Sequence, residues 1–258
     1  MSAFALPSSR SAGAVALLLG CLQAGSAVAH FQELVPSSDL VTPQSRSVTF
    51  EIVFTHPAHG GPTMAMEPPV RFGVLHQETV TDLTDRLLAR TVDDQAAYTA
   101  SYDVTAPGDH VFFLEPAPYL ETSENVYIQQ FAKVVVEAFG AEQGWDTLVG
   151  LPAEIRPLVR PYGLWTGNIF RGVVLSEGEP VPFAEIEVEY RNTDGVVFPA
   201  AAFGTQVILA DASGTFDFVM PRAGWWGFCA LGVGPQTEHE GLELSQDAVF
   251  WVRTVDVR

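Results

Sequence analysis

Alternation of apolar and polar residues with a period of two is the feature that most limits what this chain can fold into. In residues 47–54 it puts Val48, Phe50, Ile52 and Phe54 on one face of an extended segment. Other segments rich in β-branched and aromatic residues are bounded by Gly, Pro, Asn or Asp: residues 111–114, 127–139, 172–175, 186–190, 207–210, 215–220 and 248–257. Helical periodicity is scarce. The sequence therefore predicts an all-β chain built from β-sandwiches.

A cluster of prolines divides this pattern in two. Pro152, Pro157 and Pro161 interrupt the chain before the strand pattern restarts. In the second half, residues 172–188 read as two strands joined by a Glu-Gly turn, and an Asp-Ala-Ser-Gly turn at 211–214 leads into another strand. This half resembles a transthyretin-like or carboxypeptidase-regulatory-like β-sandwich. We therefore predict two sandwich domains, immunoglobulin-like or transthyretin-like, over residues 30–156 and 157–258.

Residues 1–29 have the three parts of an export signal. Arg10 is their only charge, an apolar stretch runs from residue 12 to residue 25, and the small residues Ala27 and Ala29 precede His30. The stretch is shorter than the roughly 20 apolar residues of a membrane span. We therefore predict a signal peptide cleaved after Ala29 and a periplasmic protein. In the alternative, the sequence Leu-Leu-Gly-Cys ending at Cys21 is a lipoprotein signal, Cys21 is lipidated and His30 is internal.

The charge balance argues against polyanionic partners such as nucleic acid. The chain has 31 acidic and 13 basic residues, which gives a formal net charge of −18, and the predicted cleavage removes one more positive charge. Such a surface repels nucleic acid and anionic lipid headgroups and attracts cations. Loss of the signal leaves Cys229 without a disulfide partner, and its apolar sequence context predicts a buried thiol.

Residues 55–67, with the sequence THPAHGGPTMAME, hold the densest set of possible metal ligands. His56 continues the apolar face of the preceding strand at its last position, and His59 follows in a loop rich in Gly and Pro. Met64 and Met66 are two residues apart, so both thioethers face one side of an extended segment. Imidazole suits nickel, cobalt, copper and zinc, whereas thioethers favour Cu(I). In the structural alternative, His56 ends a strand, His59 is solvated and both Met side chains fill a gap in the core.

Cleavage after Ala29 would make His30 the N-terminal residue. Its α-amine and imidazole would then chelate one ion, and His56 is expected to supply a third nitrogen, a set that suits tetragonal Cu(II) or Ni(II). Both groups of His30 must lose a proton to bind, so affinity is expected to fall as the pH drops toward about 5. His76 and His239 have no comparable sequence context and are predicted to be exposed.

Several motifs together resemble those of one bacterial family. They are Ala29-His30-Phe31-Gln32, His56-Pro57, Met64-x-Met66-Glu67, Gly144-Trp145-Asp146, Arg160-Pro161-Tyr162-Gly163-Leu164-Trp165 and Pro221-Arg222-Ala223-Gly224-Trp225-Trp226-Gly227-Phe228. This domain-of-unknown-function family comprises periplasmic accessory proteins associated with energy-coupling-factor nickel and cobalt transporters. The resemblance covers essentially the whole chain after residue 29. It implies a two-sandwich protein that captures Ni(II) or Co(II) and hands the ion to an inner-membrane transporter.

The same resemblance implies a set of ligands. His30, His56 and Met66 fall where the family pattern has its best ligand candidates, with Met64 and His59 nearby. No Gly-x-Ser-x-Gly elbow, phosphate loop, dinucleotide fingerprint or His-Glu-x-x-His is present in the sequence, so we predict that the protein is not an enzyme.

Two other functions remain open at the level of sequence. Copper-dependent polysaccharide oxygenases also hold their metal through an N-terminal histidine chelate, and Met64 and Met66 suit copper, so a copper chaperone or copper oxygenase is the first alternative. A structural or adhesion β-sandwich without any metal is the second.

Overall fold

The computed structural model describes Met1 and residues 30–257. The predicted signal peptide, apart from Met1, and the alternative lipidation site Cys21 lie outside the described residues. Within residues 30–257, no helix is long and apolar enough to cross a membrane.

Nearly all regular structure in residues 30–257 is β-strand. One short helix, α1, covers Ala201–Gly204, and two 3-10 helices cover Pro57–His59 and Thr84–Arg86. The strands, in chain order, are β1 (Phe31–Pro36), β2 (Leu40–Val41), β3 (Ser47–Thr55), β4 (Thr63–Met64), β5 (Arg71–His76), β6 (Thr79–Asp82), β7 (Leu88–Val92), β8 (Gln95–Asp103), β9 (Gly108–Glu115), β10 (Tyr119–Glu121), β11 (Val126–Ala138), β12 (Ala153–Pro157), β13 (Leu164–Trp165), β14 (Ile169–Ser176), β15 (Glu179–Pro180), β16 (Glu185–Tyr190), β17 (Thr205–Leu209), β18 (Thr215–Val219), β19 (Gly224–Ala230), β20 (Glu238–His239) and β21 (Leu242–Val255).

The strands form three sheets. The front sheet has the order β1-β3-β8-β7, with β4 beside β3. The central sheet has the order β17-β16-β19-β21-β11-β9-β5-β6, with β2 and β10 beside β11, and β13 and β20 beside β21. The back sheet has the order β12-β14-β15, with β18 beside β14. Strand neighbours are antiparallel except where β11 pairs with β21 and β2, and where β13 pairs with β21.

The middle strands of the central sheet are buried on both faces. Along β11, Ala132 and Val134 lie in the front core, which the central sheet shares with front-sheet residues such as Phe50. Phe131 and Val135 lie in the back core, which it shares with back-sheet residues such as Phe170 and Val174. Because successive side chains of a strand point to opposite faces, one sheet closes two sandwiches. The predicted all-β sandwich architecture is confirmed.

The two halves of the chain meet in the middle of the central sheet. Strand β11 from the first half pairs in parallel with β21 from the second, from Tyr127 opposite Leu244 to Val134 opposite Trp251. The predicted boundary between residues 156 and 157 falls inside β12, which pairs with β14. The front core accordingly contains residues from both halves.

The only lysine of the sequence is buried between the central and back sheets. Lys133 Nζ donates to Glu154 Oε1 at 2.5 Å, and both side chains are almost fully buried. The Glu154 carboxylate also accepts from the main-chain N–H groups of Val149, Gly150 and Leu151 at 2.8–3.2 Å. Burial lowers the pKa of Lys133, and the adjacent carboxylate opposes that shift. This ion pair ties the loop before β12 to the central sheet.

The substitution Lys133→Met is expected to lower the free energy of unfolding by about 3 kcal/mol, because it leaves a buried carboxylate without its counter-ion. Urea denaturation followed by tryptophan fluorescence measures the change. Arg171→Met, at an exposed position of β14, is the control and should stay within about 0.5 kcal/mol of the native protein. Equal midpoints for Lys133→Met and the native chain would mean that the ion pair contributes nothing to stability.

Candidate metal site

The candidate site is built on the first strand of the front sheet. Strand β1 pairs with β3 along one edge only, and all six of its residues are buried. Side chains of the central sheet form hydrogen bonds with the main chain at the other edge of β1. Gln130 Oε1 accepts from Gln32 N at 2.7 Å, Gln130 Nε2 donates to His30 O at 2.8 Å, and Trp251 Nε1 donates to Gln32 O at 2.9 Å. The start of β1 is therefore held between two sheets, although only one of them pairs with it as a strand.

A buried polar network positions Gln130 itself. Its Nε2 lies 3.1 Å from Asp247 Oδ2 and 3.3 Å from Cys229 Sγ. Asp247 Oδ1 accepts from Gly232 N and Ser245 Oγ, at 2.8 and 2.6 Å. Burial raises the pKa of Asp247, and these hydrogen bonds counteract the shift. The predicted burial of Cys229 is confirmed, and the thiol packs within this network.

Two imidazoles meet where β1 begins. Phe31 lies opposite Thr55 in the antiparallel pairing of β1 with β3, and continuing that register by one residue puts His30 opposite His56. The two ring centroids are 4.5 Å apart, with the ring planes at 54°. The His30 ring also lies near the rings of Phe54 and Tyr119, at centroid distances of 5.6 and 6.2 Å. His56 is buried and His30 is partly buried, so the pair sits at the rim of the front core.

Glu121 is the acidic neighbour of this pair, and no motif in the sequence singles it out. His30 Nε2 lies 3.1 Å from Glu121 Oε2, across 91 residues of sequence. Glu121 Oε1 accepts from Ser123 N at 2.8 Å and from Ser123 Oγ at 2.6 Å. Hydrogen bonds from Ser123, and to a smaller extent His30, lower the pKa of Glu121, so the carboxyl is ionised at neutral pH.

The surroundings of His30 favour its neutral form. Burial, and next the neighbouring His56, lower the pKa of the His30 imidazole, while Glu121 partly opposes the shift. A neutral ring that donates Nε2–H to the Glu121 carboxylate keeps its lone pair on Nδ1, the nitrogen nearer the main chain. That tautomer is the one in which the imidazole and the α-amine of a terminal histidine can bind the same ion.

The other ligands predicted from the sequence, Met66, Met64 and His59, differ in burial and in the residues that they contact. Met66 is buried, and its Sδ lies 3.7 Å from Nε2 of Gln32. Met64 is buried in the front core and pairs with Phe54 across β3 and β4. His59 is exposed at the end of a 3-10 helix, with its ring beside Gly204. The structure thus brings His30 and His56 together, with Met66 next to the residue pair Gln32 and Gln130 that fixes β1.

Side chains alone do not make a complete metal site in the described part of the chain. Residues 30–257 contain no group of three or more His, Cys, Asp or Glu side chains arranged to hold a metal ion. The α-amine that cleavage after Ala29 would release would add a nitrogen ligand beside the His30 and His56 imidazoles.

A cavity of about 420 Å³ adjoins the histidine pair. Phe54 and Tyr119, whose rings flank His30, belong to its lining, as do Met66, Gln32 and Gln130. The prediction that His76 and His239 are exposed was wrong, because both are partly buried and His239 lines the cavity. The hairpin that carries it contacts Tyr127 of the central sheet, which the sequence around His239 did not indicate.

A family model covers most of the described chain. The model of a domain of unknown function, DUF4198, matches residues 27–234. The chain belongs to this family. The predicted membership of a domain-of-unknown-function family is confirmed. The link between this chain and nickel and cobalt transporters stays a prediction.

Comparison with solved structures found remote likenesses to this chain. They include titin domains A168–A170 (9% identity, TM-score 0.22, covering 83% of this chain and 61% of that chain) and the D0–D1 domain of intimin (12%, 0.24, 88% and 100%). E. coli alpha-2-macroglobulin in its native conformation is a third (10%, 0.24, 90% and 14%). The chain thus spans less than two thirds of the titin chain. No protein with a curated description matches the chain.

The geometry around His30 predicts opposite effects of two substitutions on its pKa. His56→Gln should raise the pKa of the His30 imidazole, because it removes a neighbouring positive charge at low pH, and Glu121→Gln should lower it, because it removes a carboxylate. NMR titration of the ring signals measures both shifts, with exposed His59 as the internal control in each spectrum. An unchanged His30 pKa in both variants would contradict the arrangement of these three side chains.

Proposed function

We propose that the protein, in the form that begins at His30, is a non-enzymatic periplasmic protein that captures one Ni(II) or Co(II) ion and delivers it to an inner-membrane energy-coupling-factor transporter. The observation that carries this proposal is the 4.5 Å separation of the His30 and His56 rings. Two imidazoles bound at right angles to one ion, with metal–nitrogen distances of about 2.0–2.1 Å, have ring centroids roughly 4.5 Å apart. The separation of the ring pair therefore matches that of two imidazoles bound to one ion.

Glu121 would orient the chelate rather than bind the ion. Histidine ligands commonly donate their second ring N–H to a carboxylate, which fixes the tautomer and makes the ring a stronger ligand. His30 Nε2 has such a partner in Glu121, at 3.1 Å. This leaves Nδ1 of His30, its α-amine and one ring nitrogen of His56 as three nitrogen ligands, a set that suits nickel and cobalt and leaves further positions for other ligands.

The rest of the chain supports capture of a cation. The formal net charge of −18 raises the local concentration of cations at the surface. The main chain of His30 is fixed by Gln130, so the amine and the ring start from a restricted geometry. Delivery to a transporter is supported by the motif resemblance alone, and periplasmic export by the pattern of residues 1–29.

One added residue tests the amine. The protein that begins at His30 and a variant with a single extra Ala before His30 are compared by isothermal titration with nickel, after intact mass has established each N-terminus. The extra Ala should weaken binding by at least about tenfold, because it turns a chelating amine into a peptide nitrogen. His56→Ala should also weaken binding, whereas His59→Ala, which alters an exposed ring, is the matched control and should not. Equal affinities with and without the extra Ala would remove the amine from the site.

Copper is the second candidate ion, and the position of Met66 favours it. This thioether is buried beside Gln32 and lines the cavity next to His30, and thioethers bind soft Cu(I). Direct competition between nickel and copper separates the two ions, and a peroxide-dependent oxygenase assay separates a copper carrier from a copper enzyme. A protein that retains neither metal would instead match a structural or adhesion sandwich.

A further inference from the structure

The cavity beside His30 is much larger than a metal ion needs. Its volume of about 420 Å³ lies within the range of roughly 300–1,000 Å³ in which proteins bind small organic molecules. It lies against the candidate ion site, because Phe54 and Tyr119 line the cavity and also flank the His30 ring. His30, His56 and Glu121 do not themselves line it. The cavity and the ion site are therefore adjacent but use different side chains.

The lining selects for a particular charge. Glu67 and Glu240 are exposed at the cavity, and no Lys or Arg of the described chain lines it. Tyr127 donates from its hydroxyl to Glu240 Oε2 at 2.8 Å, which holds this carboxylate beside an aromatic ring. Carboxylates next to aromatic faces attract organic cations and repel anions. A polycarboxylate would therefore be disfavoured, and a neutral or cationic nitrogen compound favoured.

The proposed ion site would leave room for such a compound. Three nitrogens from His30 and His56 fill half of an octahedral coordination sphere, so a bidentate ligand can occupy part of the remainder. Its organic body would then extend into the cavity, whose lining includes Tyr119 and Met66.

We propose that the ion is taken up together with a small, neutral or cationic nitrogen-donor chelator, whose organic part occupies this cavity. This inference rests on the proposed function, because it assigns the class of metal complex that the same site would take. Histamine, which combines an imidazole with an amine, is a suitable probe of this class. Citrate is the contrasting polycarboxylate.

Equilibrium dialysis separates the inference from the function on which it rests. The protein that begins at His30 is dialysed against nickel alone, against nickel with radiolabelled histamine and against nickel with radiolabelled citrate. The retained metal and the retained label are both counted. Retention of nickel with a stoichiometric amount of histamine but no citrate is the expected result. Nickel retained without histamine would overturn the chelator inference and leave metal capture standing. Absence of retained nickel in every arm, including nickel alone, would overturn the proposed function itself.

Variants of the cavity locate the chelator. Ala117→Trp fills the cavity from a partly buried lining position and should reduce histamine retention by at least about tenfold while binding of nickel alone is unchanged. Ala212→Trp, in an exposed turn of the second half, is the matched control and should behave as the native chain. Unaltered histamine retention in a folded Ala117→Trp protein would place the chelator outside this cavity.

A second pair of substitutions keeps the test informative if Ala117→Trp does not fold. The double variant Glu67→Gln with Glu240→Gln alters two exposed carboxylates and leaves the core intact. It should weaken histamine retention and bring the retained amounts of histamine and citrate closer together. Binding of nickel alone should not change. An unchanged preference for histamine would contradict the role assigned to the charge of the cavity.

Discussion

The candidate site depends on hydrogen bonds between the Gln130 side chain and the edge of β1 that has no strand partner. A buried strand edge without a partner leaves N–H and C=O groups unpaired, which is costly in the absence of water. Gln130 hydrogen-bonds to the N–H of Gln32 and to the carbonyl of His30, and Trp251 donates to the carbonyl of Gln32. Because these side chains belong to the central sheet, β1 is joined to one sheet by its main chain and to another by side chains. The direction in which His30 projects follows from this double attachment.

The central sheet can supply these groups because its buried polar side chains have partners. Both faces of the sheet are covered, so each polar side chain along β11 requires a bonding partner within the protein. Gln130 has Asp247 and β1 on the front side, and Lys133 has Glu154 on the back. The same strand thus fixes the loop before β12 and the beginning of β1. A rigid frame of this kind reduces the conformational freedom that a chelate at His30 would lose on binding an ion.

The site could be anticipated in part from the sequence. The alternation in β3 predicts that His56 projects from the same face as Phe54, and the spacing before His30 marks a candidate N-terminus. Strand β1 itself gives little strand signal, because Gln32, Glu33 and a terminal Pro break the apolar pattern. Glu121 gives none, since it lies in a three-residue strand and approaches His30 only through the hairpin of β10 with β11. Its role as a neighbour of His30 requires the folded hairpin.

The sequence by itself determined the all-β architecture and the burial of Cys229, and it marked His30 and His56 as candidate ligands. These follow from local chemistry: residue periodicity, apolar context and position relative to a cleavage pattern. Only the tertiary structure decided that the two sandwiches share one sheet, that His30 faces His56 with Glu121 behind it, and that a cavity adjoins them. Strand pairing between β11 and β21 joins residues more than a hundred positions apart. Such pairings depend on which edges meet in the folded core, a choice that local patterns do not encode.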